Sequence, residues 1–148
     1  SGPPVLTFVA GGNHGQTAVQ SVATPVQNNS TIYNVIYTYS KGTWIVQPYC
    51  QYSKVPTNPS VGVVKGASAT GGAILVNHTF KHGFSLPVRW EYISTSGKAS
   101  EQAVNLLFGP GSPGTSLTAT PTFQRGGFFV RGDLSWVHAG NYATVLAF

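Results

Sequence analysis

The sequence predicts an all-β fold, an antiparallel up-and-down arrangement of about eight strands that forms a single domain over residues 1–148. Apolar and polar residues alternate with a period of two, and short glycine turns alternate with long polar stretches. Only 7% of the residues are charged, against about a quarter in an average soluble domain. So few Glu and Lys residues exclude a helical bundle, and a single cysteine excludes a disulfide scaffold.

The alternation is clearest between residues 84 and 92. Phe, Leu, Val, Trp and Tyr occupy the even positions there, whereas Ser, Pro, Arg and Glu occupy the odd positions. A period of two is typical of a strand with two different faces. Similar patterns predict the other strands, over residues 5–10, 33–39, 44–53, 68–80, 117–124, 128–136 and 141–148.

The connections alternate between two lengths. Glycine supplies the positive φ of tight turns at residues 40–42, 81–83 and 125–127. Long polar stretches follow the intervening strands, at residues 11–30, 54–66 and 94–114. Short turns at one end of the strands and long loops at the other are typical of an outer-membrane β-barrel.

The polar faces carry mainly Thr, Ser, Gln and Asn. Arg89 and Glu91 share the polar face of one predicted strand, and Arg131 and Asp133 share that of another. Opposite charges on an inner face suit a barrel lumen, where they can pair across strands. We therefore predict that these four residues line a lumen and set its field, which the excess of Lys and Arg would bias towards anions.

Aromatic residues stand at the ends of the apolar stripes. Trp and Tyr favour the two interfaces of a membrane, and each stripe of about nine residues approaches the ~9–11 that a transmembrane strand needs. The predicted membrane-interface aromatic residues are Trp44, Tyr52, Phe84, Tyr92, Phe128 and Trp136. A soluble β-sandwich that buries these stripes in a common core is the alternative. It would be a secreted carbohydrate-binding or filament-forming protein, whose Asn-x-Ser/Thr patterns at Asn28, Asn29 and Asn77 could accept glycans.

The residues that could carry other chemistry do not form a recognisable site. A Ser-His-Asp triad would need Asp133, the only aspartate, which we expect to pair with Arg131. His14 and His82 are expected in loops, without metal-ligand spacing to the other histidines, His78 and His138. Cys50 follows the apolar positions and is predicted to be buried or lipid-facing. We expect no enzyme, no metal, no cofactor and no nucleic-acid partner.

Five segments together resemble a known family. They are residues 31–39, 44–52, 106–112, 116–124 and 128–137, and they resemble the OmpL-like β-barrel porins of bacterial outer membranes. The resemblance runs from about Phe8 to His138 and is similar to the C-terminal part of such a porin. It implies a bacterial outer-membrane location, passive diffusion of small hydrophilic solutes and no catalytic residues. The implied partners are the lipid bilayer and the outer-membrane assembly machinery, and a homo-oligomer stays open.

The last residues resemble the end of an outer-membrane strand. Tyr142, Leu146 and Phe148 fall on one face, as in the C-terminal signal that the assembly machinery is thought to read. Members of the family are usually much longer, so the chain is either a fragment or a shortened barrel. Side chains largely fill the interior of a closed eight-stranded barrel, whereas open porins need about 16 or more strands.

Overall fold

The computed structural model describes residues 2–12 and 30–140, which form one antiparallel sheet with no α-helix in those ranges. Single 3₁₀ turns occur at Pro59–Val61, Lys81–Gly83 and Ala99–Glu101, and no helix in the described ranges is long and apolar enough to cross a membrane. The predicted all-β fold is confirmed. The strands are β1 (Val5–Gly12), β2 (Thr31–Lys41), β3 (Trp44–Val55), β4 (Ala67–Thr79), β5 (Phe84–Thr95), β6 (Pro113–Ala119), β7 (Thr122–Arg125), β8 (Phe128–Arg131) and β9 (Leu134–Ala139).

The sheet is seven strands wide, in the order β1-β2-β3-β4-β5-β6-β9, while β7 pairs with β5 and β8. When β6 with β7, and β8 with β9, are each counted as one interrupted strand, consecutive strands along the chain are neighbours, as the up-and-down prediction requires. No pairing joins β1 to β8 or β9 within the described residues, so the sheet they form is open. The predicted strand over residues 141–148 lies outside the described residues, and so do Tyr142, Leu146, Phe148, His14, Asn28 and Asn29.

Two predicted strands are each interrupted once, which corrects the prediction of continuous strands over residues 117–124 and 128–136. β6 and β7 are separated by two residues, as are β8 and β9. Ala119 pairs with Leu134 and Thr122 pairs with Arg131, three positions further along each strand. Because the register is unchanged, the interruption is not a bulge. Pro121 lies within it and has no N–H to donate to the ladder.

Pro48 interrupts the β2–β3 ladder in the same way. Ile36 pairs with Tyr49 and Tyr39 pairs with Val46, again with three positions on each strand and two rungs missing between them. A side-chain hydrogen bond from Gln47 Nε2 to Thr38 Oγ1, 2.9 Å long, joins the strands across this gap. The sheet therefore tolerates proline by losing rungs without changing register.

Short turns and long loops separate to opposite ends of the sheet, as predicted. Two-residue turns at Gly42 and Gly126 have positive φ, and His82 (φ 65°) and Gly83 (φ 83°) form the third turn. The long connections over residues 56–66 and 96–112 lie at the other end. His82 is thus in a turn, as expected.

Few apolar side chains are buried in the described ranges. The buried apolar residues are only alanines and valines, so no described Leu, Ile, Phe, Trp or Tyr is buried. The one small core cluster, Val55 and Val63 with Val104 and Leu106 packed against it, lies where the two long loops meet. A sheet without a packed core on either face differs from a soluble sandwich, in which the large apolar residues are interior.

Candidate functional site

The polar face of the sheet is defined by Ser85, Pro87, Arg89, Glu91 and Ile93 of β5, together with the residues directly opposite them on neighbouring strands. Because successive side chains of a strand alternate between faces, β3, β6 and β9 contribute Tyr49, Ser116 and Ser135 to this face, among others. All four charged residues that the sequence predicts for one face, Arg89, Glu91, Arg131 and Asp133, lie on it.

Glu91 is held by three neighbours. Tyr49 donates its hydroxyl to Oε1 at 3.0 Å, and Ser116 donates to Oε2 at 3.2 Å. Arg89 Nη2 lies 3.5 Å from Oε2. Both carboxylate oxygens are therefore engaged by β3, β5 and β6, which fixes the orientation of this charge.

Asp133 lies at the strand interruption, and its side chain contacts residues on both of the interrupted strands. Thr120 donates its hydroxyl to Oδ1 at 2.7 Å, and Arg131 Nη2 donates to the same atom at 3.2 Å. The expected pairing of Asp133 with Arg131 is present. A second hydroxyl, that of Thr122, donates to the Thr120 carbonyl at 3.1 Å. The Thr120 carbonyl faces Pro87. The carbonyl of Pro87 accepts a hydrogen bond from the Thr120 N–H, but Pro87 has no N–H to donate to the Thr120 carbonyl.

A row of hydroxyl groups separates the two charge pairs. We call Ser116, Thr118, Thr120 and Thr122 the hydroxyl ladder; they lie on β6, β7 and the residues between them. Thr118 lies opposite Arg89 on one side and Ser135 on the other, while Thr122 lies opposite Arg131. Down the sheet the charges therefore alternate in sign, in the order Arg131, Asp133, Arg89 and Glu91.

The polar face contains two hollows. The larger, of about 550 Å³, is lined by Arg89, Arg131, Asp133 and the hydroxyls at positions 118, 120, 122 and 135. The smaller, of about 300 Å³, is bounded by Arg89 and Glu91 on the sheet and by Leu107 and Phe108 from the loop over residues 96–112. Charged and hydroxyl groups thus face concave spaces on this side of the sheet.

The hollows offer more donors than acceptors. Glu91 and Asp133 each already accept two or more contacts, whereas Arg89 and Arg131 contact these carboxylates only through Nη2. A guanidinium carries five N–H donors and no acceptor, and the side chains of Arg89 and Arg131 are 44% and 56% exposed. The arrangement can therefore bind solutes that are rich in acceptors or negatively charged.

The apolar face carries the aromatic residues at both ends of the strands. At the turn end, His78 lies between Trp44 and Phe80, with ring centroids 4.2 and 4.4 Å away, and Phe80 lies 5.4 Å from Phe84. Phe128 is also at this end, and Tyr52 lies near the loop end. Trp136 pairs with Leu117, and Leu117 pairs with Trp90, which is midway along β5. Trp136 therefore lies level with the middle of the strands and not at one end. Their role at a membrane interface stays a prediction.

Cys50 and the histidines add no further site. The thiol is exposed on the apolar face, so the buried alternative for Cys50 is wrong. Within residues 2–12 and 30–140, no three His, Cys, Asp or Glu side chains are grouped closely enough to hold a metal ion.

The sequence did not reveal the hydroxyl groups that contact the two carboxylates, those of Tyr49, Ser116 and Thr120. Tyr49 stands at a polar position of β3, where an aromatic hydroxyl interrupts the alternation, and this signal could have identified it. Phe108 gave no such signal, because its loop has no periodicity and long-range contacts alone determine its position.

Comparison with known proteins places the chain in a family. A family model described as "Putative beta-barrel porin-2, OmpL-like" matches residues 5–147, nearly the whole chain. No curated protein and no solved structure matches the chain. The match extends beyond both ends of the resemblance seen in the sequence and confirms it. The chain belongs to the OmpL-like β-barrel porin-2 family.

Proposed function

We propose that the chain forms an outer-membrane β-barrel through which small hydrophilic solutes diffuse passively. The apolar face would contact lipid, and the polar face would line the pore. The observation that carries this proposal is the exposure of the large apolar side chains, for example 71% for Phe8 and Leu134 and 59% for Trp136. Water disfavours such a continuous apolar surface, whereas a bilayer accepts it without cost.

The soluble sandwich has less support. It requires a second layer to cover the apolar face, and the described residues form only one layer. The polar face also differs from a water-exposed surface, because its carboxylates are fixed by neighbouring strands. Pairing across strands suits an inner face of a barrel.

Strand length fits a membrane crossing. β2, β3, β4 and β5 contain 11, 12, 13 and 12 residues, and about 9–11 tilted residues cross the hydrocarbon core of a bilayer. The residual length lets each strand extend beyond the lipid at the loop end.

Strand direction indicates how the barrel closes. Every pairing from β1 to β9 is antiparallel, so the two edge strands of this seven-strand path run in the same direction. An antiparallel barrel therefore needs an odd number of further strands between them, which gives the even total typical of bacterial barrels.

The donor-rich hollows support a preference for anions. Arg89 and Arg131 would present free N–H donors to the pore, while Glu91 and Asp133 are held by strand neighbours. The hydrogen-bond donors and charged side chains that line a narrow pore set which ion it prefers, and here the donors that remain free belong to two cationic side chains.

Flotation of the refolded chain with liposomes, followed by a carbonate wash, tests the membrane location. We expect the protein to float, to resist the wash and to conduct ions across a planar bilayer. A chain that stays at the bottom without detergent contradicts the membrane barrel and favours the soluble alternative, which a glycan-binding screen would then examine.

The ion preference of the pore tests the role of the polar face. Neutralising both arginines, as Arg89→Gln and Arg131→Gln, should shift the reversal potential in a salt gradient towards cations. The control, Lys65→Gln with Lys98→Gln, removes the same charge from loop residues that pair with Glu101. If the arginine variant and the control leave the reversal potential equally unchanged, the two arginines do not line the conducting path.

A further inference from the structure

The loop over residues 96–112 folds onto the polar face. Leu107 and Phe108 bound the same hollow as Arg89 and Glu91. Gly114 lies on the polar face opposite Ile93, and a Cβ there would overlap the Phe108 ring. The Cδ2–Cε2 edge of the ring therefore lies against the sheet at this glycine, on the side of the charged residues.

Buried hydrogen bonds fix the base of this loop. The single hydrogen of the Thr95 hydroxyl has two carbonyls within reach, that of Gly109 at 2.7 Å and that of Ser112 at 3.0 Å, and the hydroxyl oxygen accepts from the Ser112 N–H at 3.1 Å. Thr95 and Ser112 are only 5% and 1% exposed. The sequence predicts a long polar loop at residues 94–114, and the base of this loop is buried because Thr95 satisfies its backbone groups.

The other half of the loop is fixed by the neighbouring loop over residues 56–66. Val104 donates its N–H to the Lys65 carbonyl at 3.1 Å, and Val104 and Leu106 pack against the buried pair of Val55 and Val63. Two independent attachments thus flank Phe108. A side chain held on both sides keeps one position without a bound solute.

We infer that Phe108 is the size-determining residue of the pore, a fixed constriction that faces the Arg89–Glu91 pair. This inference rests on the proposed function. Solutes that reach the charged residues from the loop end pass between the aromatic ring and the guanidinium, so compact hydrophilic solutes cross and bulkier ones of the same charge do not. Pore radius at such a constriction sets which solutes pass.

Conductance of a graded series of side chains at position 108 tests the inference. Phe108→Leu and Phe108→Ala should raise single-channel conductance stepwise, by about 1.5-fold or more for alanine, since the lining side chains set the radius at the narrowest point. Both should also raise the size limit for uncharged sugars in liposome swelling, whereas Phe108→Tyr should behave as the wild type. Ser100→Ala, in an exposed part of the same loop, is the matched control and should change neither readout.

A double-mutant cycle distinguishes a constriction from a purely structural role. Gly114→Ala displaces the ring and should change the conductance of the wild-type chain, yet it should have no effect in the Phe108→Ala background. Equal effects of Gly114→Ala in both backgrounds overturn the inference, and so does a wild-type size limit in all position-108 variants. If Phe108→Ala fails to fold, the Phe108→Leu variant and the Gly114→Ala variant decide. A wild-type chain that inserts but never conducts would instead overturn the proposed function.

Discussion

The two faces of the sheet are stabilised differently, although the same strands contribute to both. On the polar face, Glu91 and Asp133 are tied to neighbouring strands by hydroxyl and guanidinium groups. On the apolar face, large side chains such as Trp90 and Ile74 remain 52% and 44% exposed. One face therefore carries specific hydrogen bonds, and the other depends on the medium around it.

Because the two faces differ in this way, alternation alone does not distinguish a membrane sheet from a soluble one. Both have a period of two. They differ in which face is covered, and here the one cluster of buried apolar residues in the described ranges lies where the loops meet and covers neither face of the sheet. Neighbouring residues of one strand thus allow the medium on each side to be tested separately.

The largest expected effect is a charge placed on the lipid side. Ile74→Lys should lower the free energy of unfolding in lipid by about 2–4 kcal/mol, as for charges near the bilayer midplane. Leu75→Lys, the next residue on the polar face beside Arg89, should cost much less because water reaches it. Urea unfolding in vesicles measures both. A soluble protein would reverse the order, since Ile74 is exposed and Leu75 is half-buried.

A smaller effect is expected at the strand interruption. Thr120→Val should lower the free energy of unfolding by about 1–2 kcal/mol, because it removes a buried hydroxyl that joins β6 to Asp133. Thr118→Val, on the same strand path, loses a hydrogen bond with Ser135 in a more exposed position and should cost less. Equal costs in the same unfolding assay would mean that the contact at Asp133 does not bridge the gap.

The strands and turns could be predicted because they depend on local pattern. Alternation at residues 84–92 and glycine at positions 42 and 126 determine strand and turn without long-range information. A proline within a strand predicts a local irregularity at Pro121, but the sequence does not determine its form, because a proline is compatible with either a bulge or a missing rung. Phe108 was not placed either, since its position depends on Thr95 and Gly114.

Tyr49 offers a test of the polar network away from the interruption. Tyr49→Phe should lower the free energy of unfolding by about 1 kcal/mol, because Glu91 loses one of its three partners. Tyr52→Phe changes the same side chain on the apolar face of β3 and should have less effect. If Tyr52→Phe lowers the free energy of unfolding as much as Tyr49→Phe or more, the hydroxyl contacts that stabilise the sheet are not those of the polar face.

The smallest expected effect concerns Pro121, where a backbone hydrogen bond and a side-chain contact join the same two strands. Gly132 donates its N–H to the Pro121 carbonyl at 3.1 Å, so Pro121→Ala supplies the N–H that the reverse bond to Gly132 lacks. The gain, at most about 1 kcal/mol, is offset by the greater freedom of alanine in the unfolded chain. Pro4→Ala, in an exposed position before β1, isolates that second contribution. If the free energy of unfolding of Pro121→Ala exceeds that of this control by much more than one hydrogen bond contributes, the Thr120–Asp133 contact does not compensate for the missing rung. A difference near zero instead means that the side chains of the polar face already replace the backbone there.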